Sequence, residues 1–131
     1  MIDASAEPSV MANITSPVEQ VYNNNLTGLV NFLELAKRLN AGFVFLSTSR
    51  VYPINNLETI DFVEHETRYS ITGNQTFVGV TEKGIGENFP FVGSRSFYGT
   101  TKHASELMIE EYNTLEGLRT IVNRNRSLAN G

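Results

Sequence analysis

The sequence predicts an α/β fold built around a parallel β-sheet, and three features of the chain support that class. Residues 43–46 form an apolar run, Phe-Val-Phe-Leu, with no polar alternation, which is typical of a strand covered on both faces. Segments with the apolar spacing of a helix, 18–36 and 97–112, precede and follow this run. A second strand-like segment, 118–123, comes last. Because strands that alternate with helices form crossover units, this order indicates a parallel sheet.

The composition excludes several classes of protein. The chain has 131 residues, 40% of them hydrophobic, with no cysteine and a formal net charge of -4. That length and composition suit one folded domain, and the absence of cysteine excludes a disulfide scaffold, a zinc–thiolate site and a cysteine nucleophile. The mild acidity argues against nucleic acid as a partner, because phosphate binding needs a basic surface. His65 and His103 stand alone without metal-ligand spacing, so no metal site is expected.

The sequence carries no visible membrane or secretion signal. No apolar run reaches the roughly 18 residues of a membrane-spanning helix. The first residues, Met-Ile-Asp-Ala-Ser-Ala-Glu, contain no basic cluster and no long apolar stretch. We therefore expect a soluble, cytoplasmic protein with no membrane partner.

The first helix is predicted from its starting residues and its apolar spacing. Ser16 is a favourable N-cap residue, and Pro17 suits the first helical position. Apolar residues then recur at steps of three and four to about residue 36, and Gly42 marks the end. The run Asn-Asn-Asn at 23–25 interrupts the pattern with poor helix formers. We expect the helix to bend there, or those amides to have a specific role.

The remainder is predicted to contain a long irregular segment and a second helix. Residues 53–95 hold five glycines and two prolines, which favours a long excursion with one short helix or hairpin. The second helix is expected to begin at 97–98 and to end before Gly117. Three acidic residues on that helix are expected to form a solvated face: Glu106, Glu110 and Glu111.

Two groups of side chains occupy positions where a parallel sheet binds ligands. Ser47, Thr48 and Ser49 directly follow the apolar strand, and ligands of open α/β sheets lie at the carboxyl ends of strands. Tyr98 and Lys102 are four residues apart on the second helix, so they share one face. A nearby ammonium favours the phenolate form of a tyrosine, which can then act as a general base or acid. The structural alternative is a solvated lysine beside a packed tyrosine, because this spacing arises by chance in many helices.

Beyond these patterns, the chain resembles a known family over nearly its whole length. Six blocks carry the resemblance in the family's order: 2–10 (IDASAEPSV), 25–34 (NLTGLVNFLE), 43–52 (FVFLSTSRVY), 87–90 (ENFP), 95–102 (RSFYGTTK) and 122–124 (VNR). They are similar to extended short-chain dehydrogenases/reductases of the NAD-dependent nucleotide-sugar epimerase/dehydratase group. The blocks at 43–52 and 95–102 resemble most the CDP-paratose 2-epimerase (CDP-tyvelose epimerase) type. The resemblance implies a doubly wound, Rossmann-like domain, of which residues 1–131 are the central to C-terminal portion.

The resemblance also implies a reaction and the roles of three residues. Tyr98 would be the catalytic acid/base, Lys102 would bind the nicotinamide ribose hydroxyls, and Thr48 would hydrogen-bond the sugar hydroxyl that is oxidised. The implied reaction is NAD-dependent epimerisation of a nucleotide sugar, at C2 of a CDP-sugar. Hydride leaves the sugar carbon, the keto sugar rotates, and hydride returns to the other face. The cofactor would carry the redox chemistry while the protein orients the reactants.

The same resemblance implies further residues that contact the cofactor or the substrate. The cofactor would touch, besides Tyr98 and Lys102, the following residues: Ala4, Ser5, Ala6, Asn25 and Ser47. The substrate would touch Ser9 and Arg50 in addition to Thr48.

Departures from the family pattern leave other interpretations open. A Gly-rich phosphate loop is not found, and neither is a C-terminal substrate-binding part, so we expect a central fragment that is weakly active or inactive alone. Asp3 stands where the family often has histidine, and Ser5 replaces an alanine. One alternative is a non-catalytic remnant or interaction module that forms a homo-oligomer or pairs with a complementing chain. Another is a dehydratase or reductase of the same fold. A dehydratase is disfavoured because Ser49 and Arg50 stand where Asp and Glu are usual.

Overall fold

The structure, a computed structural model, describes residues 1–7 and 17–125. The chain divides into two compact units. The first takes its described residues from Met1–Val51 and Ser96–Gly131, and the second is Tyr52–Arg95. All predicted catalytic residues belong to the first unit, which is therefore described in more detail.

A three-stranded parallel sheet forms the centre of the first unit. Its strands are β1 (Ile2–Asp3), β2 (Phe43–Thr48) and β7 (Thr120–Asn125), in the spatial order β1-β2-β7. Both strand pairs are parallel, and Ser47 lies opposite Arg124 in the β2–β7 register. The predicted α/β class with a parallel sheet is confirmed. Strand β2 is longer than expected, since it continues through Ser47 and Thr48. Strand β7 begins later than expected, at Thr120.

The helix between β1 and β2 contains the interruption that the asparagine run predicts. It consists of α1 (Val18–Tyr22), a π-helical turn (Asn23–Thr27) and α2 (Gly28–Arg38). The predicted start is wrong by one residue. Pro17 is the N-cap with an extended ψ of 138°, so Val18 opens the helix, while Ser16 lies outside the described residues. Single-turn π-helical insertions are frequent at functional sites, which directs attention to this segment.

The second long helix, α4 (Phe97–Glu116), has the predicted bounds because both ends carry local signals. At the start, the Ser96 hydroxyl accepts a hydrogen bond from the Gly99 amide at 3.1 Å. At the end, Gly117 adopts a φ of 68°, a left-handed conformation that glycine takes without strain. The Ser96 cap therefore fixes where the turn carrying Tyr98 begins.

The core of the first unit lies between β2 and the two long helices. Its buried members are Leu29, Leu33, Ala36, Phe43, Phe45, Ile109 and Leu118. Successive strand residues point to opposite faces, so Phe43, Phe45 and Ser47 all face the helices. Val44 and Leu46 on the other face are only half-buried, so β2 is less completely covered than its apolar run predicts.

The second unit is more regular than the sequence suggests. It contains α3 (Ile54–Glu58) and two antiparallel hairpins, β3 (Phe62–Glu64) with β4 (Tyr69–Ile71) and β5 (Val80–Thr81) with β6 (Gly84–Ile85). Ile60, Val80 and Phe89 form its core, which Tyr52, Leu57, Ile71 and Phe77 partly cover. The glycines that suggested irregularity include turn positions with positive φ, such as Gly79 at 82°. Across residues 1–7 and 17–125, none of the helices combines the length and apolar character of a membrane span.

Candidate active site

Lys102 is buried where α4 passes the carboxyl end of β2. Its Nζ donates a hydrogen bond to the Leu46 carbonyl oxygen at 2.9 Å and lies 4.2 Å from the centre of the Phe45 ring. Only 3% of the residue is exposed. The alternative interpretation, in which Lys102 is solvated beside a packed tyrosine, is therefore excluded.

The charge on Lys102 is set by opposing influences. Burial lowers the pKa of Lys102 from its ordinary value of 10.5, because the ammonium loses its hydration. The carboxylates of Asp3 and Glu106 oppose this by favouring the charged form, and burial remains the largest influence on the pKa. Lys102 is thus an ammonium that is more easily deprotonated than an exposed lysine.

Thr48 and Ser47, the last residues of β2, point to opposite faces of the strand. Thr48 is buried, and its Oγ1 accepts a hydrogen bond from the backbone N–H of Arg50 at 3.2 Å. Arg50 is exposed. Ser47 is also buried, but its hydroxyl donates to a carboxylate oxygen of Glu106. The hydroxyl proton of Ser47 is therefore engaged within the protein, whereas the resemblance implies a cofactor contact at the end of this strand.

Tyr98 lies on the first turn of α4, one helical turn before Lys102, and is half-buried. Its carbonyl oxygen accepts a hydrogen bond from the Thr101 hydroxyl at 2.9 Å. The preceding residue, Phe97, meets Tyr22 of α1 edge to face, with ring centres 6.5 Å apart. The structure thus places the Lys102 ammonium at the Leu46 carbonyl near the end of β2, and Tyr98 on the same helix one turn earlier.

Asn25 connects the π-helical turn to the segment after β1 and to α4. Its Oδ1 accepts from the Glu7 backbone N–H at 2.7 Å, and its Nδ2 donates to Thr101 Oγ1 at 2.9 Å. Asn25 and Thr101 are both buried. The amide oxygen of Asn25 therefore holds the segment after β1, and its amide nitrogen supports the turn of α4 between Tyr98 and Lys102. No sequence signal distinguished Thr101 from its exposed neighbour Thr100.

A polar groove of about 410 Å³ lies beside the segment that follows β1. Its lining consists of Ser5, Ala6, Asn23, Asn24, Thr27, Gly28 and Asn31. The lining is uncharged and carries amides and hydroxyls, which can pair with the hydroxyls and amide of a nucleotide cofactor. Two predicted cofactor residues, Ser5 and Ala6, belong to it, whereas Ala4 is exposed and Ser9 lies outside the described residues.

The segment after β1 is held by Asp3. Its Oδ1 accepts both the backbone N–H of Ser5 at 2.8 Å and the Ser5 hydroxyl at 2.6 Å. Asp3 is buried, so these hydrogen bonds compensate part of the cost of removing its carboxylate from water. The two residues that depart from the family pattern, Asp3 and Ser5, are therefore hydrogen-bonded to each other in this chain.

Glu106 contradicts the expectation of a solvated helix face. It is only 8% exposed, and its carboxylate accepts hydrogen bonds from Ser47 and Arg124. Glu106 follows Lys102 by four residues and so shares its inward face. The neighbouring acids Glu110 and Glu111 are exposed, as expected.

The part of the chain that the structure describes contains no cluster of three or more histidine, cysteine, aspartate or glutamate residues suited to a metal ion. His65 is exposed and His103 is half-buried.

Comparison with known proteins identifies the group to which these residues belong. A profile described as "NAD dependent epimerase/dehydratase family" matches residues 1–129. Among curated proteins, no relative matches the chain significantly.

Solved structures share the fold at low sequence identity. UDP-N-acetylglucosamine 4-epimerase from Methanobrevibacter ruminantium is 19% identical with a TM-score of 0.65, over 94% of this chain and 31% of that one. UDP-glucose 4-epimerase from Brucella ovis, solved in complex with NAD, is 20% identical with a TM-score of 0.61, over 94% and 30%. L-threonine dehydrogenase from Clostridium difficile is 24% identical with a TM-score of 0.59, also over 94% and 30%.

These similarities establish only the fold, because the sequence identities are low and the matched structures include both epimerases and a dehydrogenase. The chain spans about a third of the length of the structures it matches.

Proposed function

The chain belongs to the NAD dependent epimerase/dehydratase family, and on that premise we propose that it carries the reaction centre of an NAD-dependent nucleotide-sugar epimerase. The observation that carries the proposal is the buried ammonium of Lys102 at the carboxyl end of β2. Burying a charge costs free energy unless it is paired. A lysine kept at the Leu46 carbonyl, two residues before Thr48, and one turn after Tyr98 is better explained by chemistry at this site than by stability.

The three residues have complementary roles in the proposed reaction. Thr48 holds the sugar hydroxyl, and Tyr98 takes its proton while hydride leaves the same carbon. When bound, NAD supplies the hydride acceptor and then the hydride donor. Lys102 binds the ribose hydroxyls of the cofactor, the role that the resemblance implies for it. After the keto sugar presents its other face, Tyr98 returns the proton, so the two half-reactions leave no net oxidation.

The described residues fit part of the cofactor. The groove at Ser5 and Ala6 offers amides and hydroxyls for ribose and carboxamide groups. Asn25 supports this region by its bond to the Glu7 backbone rather than by a free side chain. Phosphate groups normally bind a glycine-rich turn at a helix N-terminus, and no such turn occurs among residues 1–7 and 17–125.

We propose a finer assignment of the substrate and the reaction: the CDP-paratose 2-epimerase type, with epimerisation at C2 of a CDP-sugar. It rests on the blocks at 43–52 and 95–102, which include Thr48, Arg50, Tyr98 and Lys102. Arg50 is exposed two residues after Thr48 and is available to an anionic substrate. On this assignment Arg50 contacts the substrate together with Thr48 and Ser9.

Cofactor binding is the first test. NAD is titrated into isotope-labelled full chain to millimolar concentration while backbone and lysine resonances are followed. We expect saturable shifts that include Ser5, Ala6 and Lys102. In the Lys102→Met variant we expect affinity weaker by about 10- to 150-fold, because a charge-assisted hydrogen bond contributes ~1.5–3 kcal/mol. Lys37→Met, on the exposed surface of α2, is the matched control. No saturable shift at millimolar NAD would contradict the proposal.

Substrate specificity is tested with isotope-labelled sugars. The NAD-loaded chain is incubated with CDP-sugars deuterated at C2 and with UDP-sugars deuterated at C4. Inversion at C2 with retention of deuterium supports the finer assignment, because the hydride that leaves is the hydride that returns. Inversion at C4 of the UDP-sugar alone would reject the C2 assignment and leave the family-level proposal standing.

A second candidate function is an interaction module that pairs with another copy of the chain. Within the described residues β7 pairs on one side only, with β2, and its Ile121 is 62% exposed. An exposed apolar edge strand is a template for pairing. If this candidate holds, sedimentation will show self-association of the wild type that Ile121→Lys abolishes and Val78→Lys, at an equally exposed site in the second unit, retains. A monomeric wild type would reject it.

A further inference from the structure

A buried polar cluster next to the candidate site has no role in the reaction proposed above. It consists of Ser47, Glu106 and Arg124, and we call it the Glu106 cluster. The Arg124 guanidinium donates from Nε to both carboxylate oxygens at 3.1 Å and from Nη2 to Oε2 at 2.8 Å. The Ser47 hydroxyl donates to Oε1 of the same carboxylate. One carboxylate thus joins α4, β2 and β7.

The position of the cluster relative to the candidate catalytic residues is specific. Ser47 lies between Leu46, whose carbonyl oxygen accepts from Lys102, and Thr48. Glu106 follows Lys102 by one helical turn on the same inward face of α4. Arg124 is the register partner of Ser47 across β2 and β7. The Ser47–Glu106 bond therefore acts one residue from Thr48, and the carboxylate that forms it lies one helical turn from Lys102.

Stability alone does not account for this arrangement. The Glu106 side chain is 7% exposed and that of Arg124 is 27% exposed, so both charges have lost much of their hydration. Replacing a buried ion pair by apolar residues of similar volume is often neutral or stabilising. A cluster that costs desolvation and sits beside Lys102 is better explained by what it positions.

We propose that Glu106 is a positioning residue, which anchors the carboxyl end of β2 through Ser47 and Arg124 and supplies a negative charge beside Lys102. The proposal rests on the function proposed for Lys102 and Thr48, and it deepens that function. Without the cluster, the end of β2 is free to shift, and Thr48 with it. Without the carboxylate, less opposes the loss of the proton from Lys102.

The charged groups that face Lys102 come from several elements. Asp3 on β1 and Glu106 on α4 both favour its protonated form, while burial disfavours it. Arg124 on β7 neutralises part of the Glu106 charge, and β2 presents the Phe45 ring and the Leu46 carbonyl oxygen. The contribution of Glu106 is therefore separable from that of Asp3 by substitution.

The first experiment follows Lys102 directly by lysine side-chain NMR across alkaline pH in the full chain without ligand. Glu106→Gln keeps the shape of the side chain and removes its charge, so we expect the pKa of Lys102 to fall. Glu110→Gln, one turn further along α4 and exposed, is the matched control and is expected to leave Lys102 unchanged. An unfolded variant would give the opposite shift, toward the ordinary lysine value, since burial would be lost.

The second experiment measures the anchor. Ser47→Ala removes one bond of the cluster and leaves the Glu106–Arg124 pair, so it remains informative if Glu106→Gln does not fold. We expect backbone amides at 46–48 and 123–125 to exchange about tenfold faster, with little change at the other end of the same strands. Ser49→Ala, two residues away and outside the cluster, is the control.

The outcomes separate this inference from the proposed function. An unchanged Lys102 titration in folded Glu106→Gln, or uniform exchange along β2 in Ser47→Ala, would overturn the positioning role. Neither readout uses NAD or a sugar, so failure of cofactor binding would reject the proposed function without deciding these results.

Discussion

Asn25 donates through Nδ2 to the Thr101 hydroxyl at 2.9 Å, which joins the π-helical turn to the first turns of α4 across 76 positions of sequence. Thr101 in turn donates to the Tyr98 carbonyl oxygen. The turn of α4 that carries Tyr98 and Lys102 is therefore held from the side by a buried amide.

Removing the Asn25 amide is expected to destabilise the chain. Asn25→Ala leaves the Glu7 N–H and the Thr101 hydroxyl without their buried partner, which costs about 1–3 kcal/mol for an unsatisfied group. Urea unfolding measures the loss. Asn24→Ala, its exposed neighbour, is expected to change the free energy of unfolding by no more than about 0.5 kcal/mol. Equal effects of the two substitutions would contradict the role given to Asn25.

The cap of α4 is expected to be specific for a hydrogen-bond acceptor. Ser96→Ala removes the oxygen that binds the Gly99 N–H, and loss of such a cap costs about 1 kcal/mol. Ser96→Asp retains an acceptor and is expected to stay close to wild type. Thermal unfolding of the three proteins tests this, and a loss in Ser96→Asp as large as that in Ser96→Ala would argue against the capping bond.

Two lysines are expected to give the stability of the chain opposite dependences on pH. The pKa of Lys102 is lowered by burial, so between that lowered value and 10.5 the unfolded chain binds more protons and stability rises with pH. The pKa of Lys37 is raised, chiefly by its hydrogen bond to Glu116. Its contribution is complete below 10.5 and is lost as pH rises through the raised value.

Urea unfolding of wild type, Lys102→Met and Lys37→Met between about pH 8 and 11 isolates the two contributions, the window being centred on the ordinary lysine pKa. Subtracting each variant from wild type is expected to give a positive slope with pH for Lys102 and a negative slope for Lys37. A negative slope for Lys102 would show that burial does not dominate its charge state, and a positive slope for Lys37 would contradict the effect of Glu116.

The Tyr98 hydroxyl is expected to matter for turnover and not for cofactor binding. Tyr98→Phe should slow sugar interconversion by about 10²–10⁴-fold, the range of general acid–base catalysis. Affinity for NAD, measured by the same NMR titration, should remain within a factor of two or so of wild type, because the Lys102 contact is retained. Tyr112→Phe is the matched control on the same helix. The Tyr112 hydroxyl binds Glu34, away from the site. Equal rates for Tyr98→Phe and wild type would remove Tyr98 from the mechanism.

Features with a local physical cause were predictable from sequence. The bounds of α4 follow from the Ser96 cap and the left-handed Gly117, and the interruption at 23–25 follows from three poor helix formers. The shared face of Tyr98 and Lys102 follows from helical periodicity. The second unit was underestimated because its hairpin turns use glycines, which also mark irregular loops.

Family membership was also recognisable from the sequence, since it depends on short blocks in a fixed order. The parallel sheet could be inferred from the alternation of helices and strands. Neither inference requires information on which side chains contact each other in the tertiary structure.

The bonds that hold the candidate site required the tertiary structure. Lys102 reaches a carbonyl 56 positions away, Ser47 and Glu106 are 59 positions apart, and Asn25 finds Thr101 across 76. Glu106 and Glu110 look alike in the sequence, yet one is buried with partners and the other is exposed. A local pattern specifies which face a residue occupies. Which polar groups lose water together, and so must pair, is decided only when distant elements pack against each other.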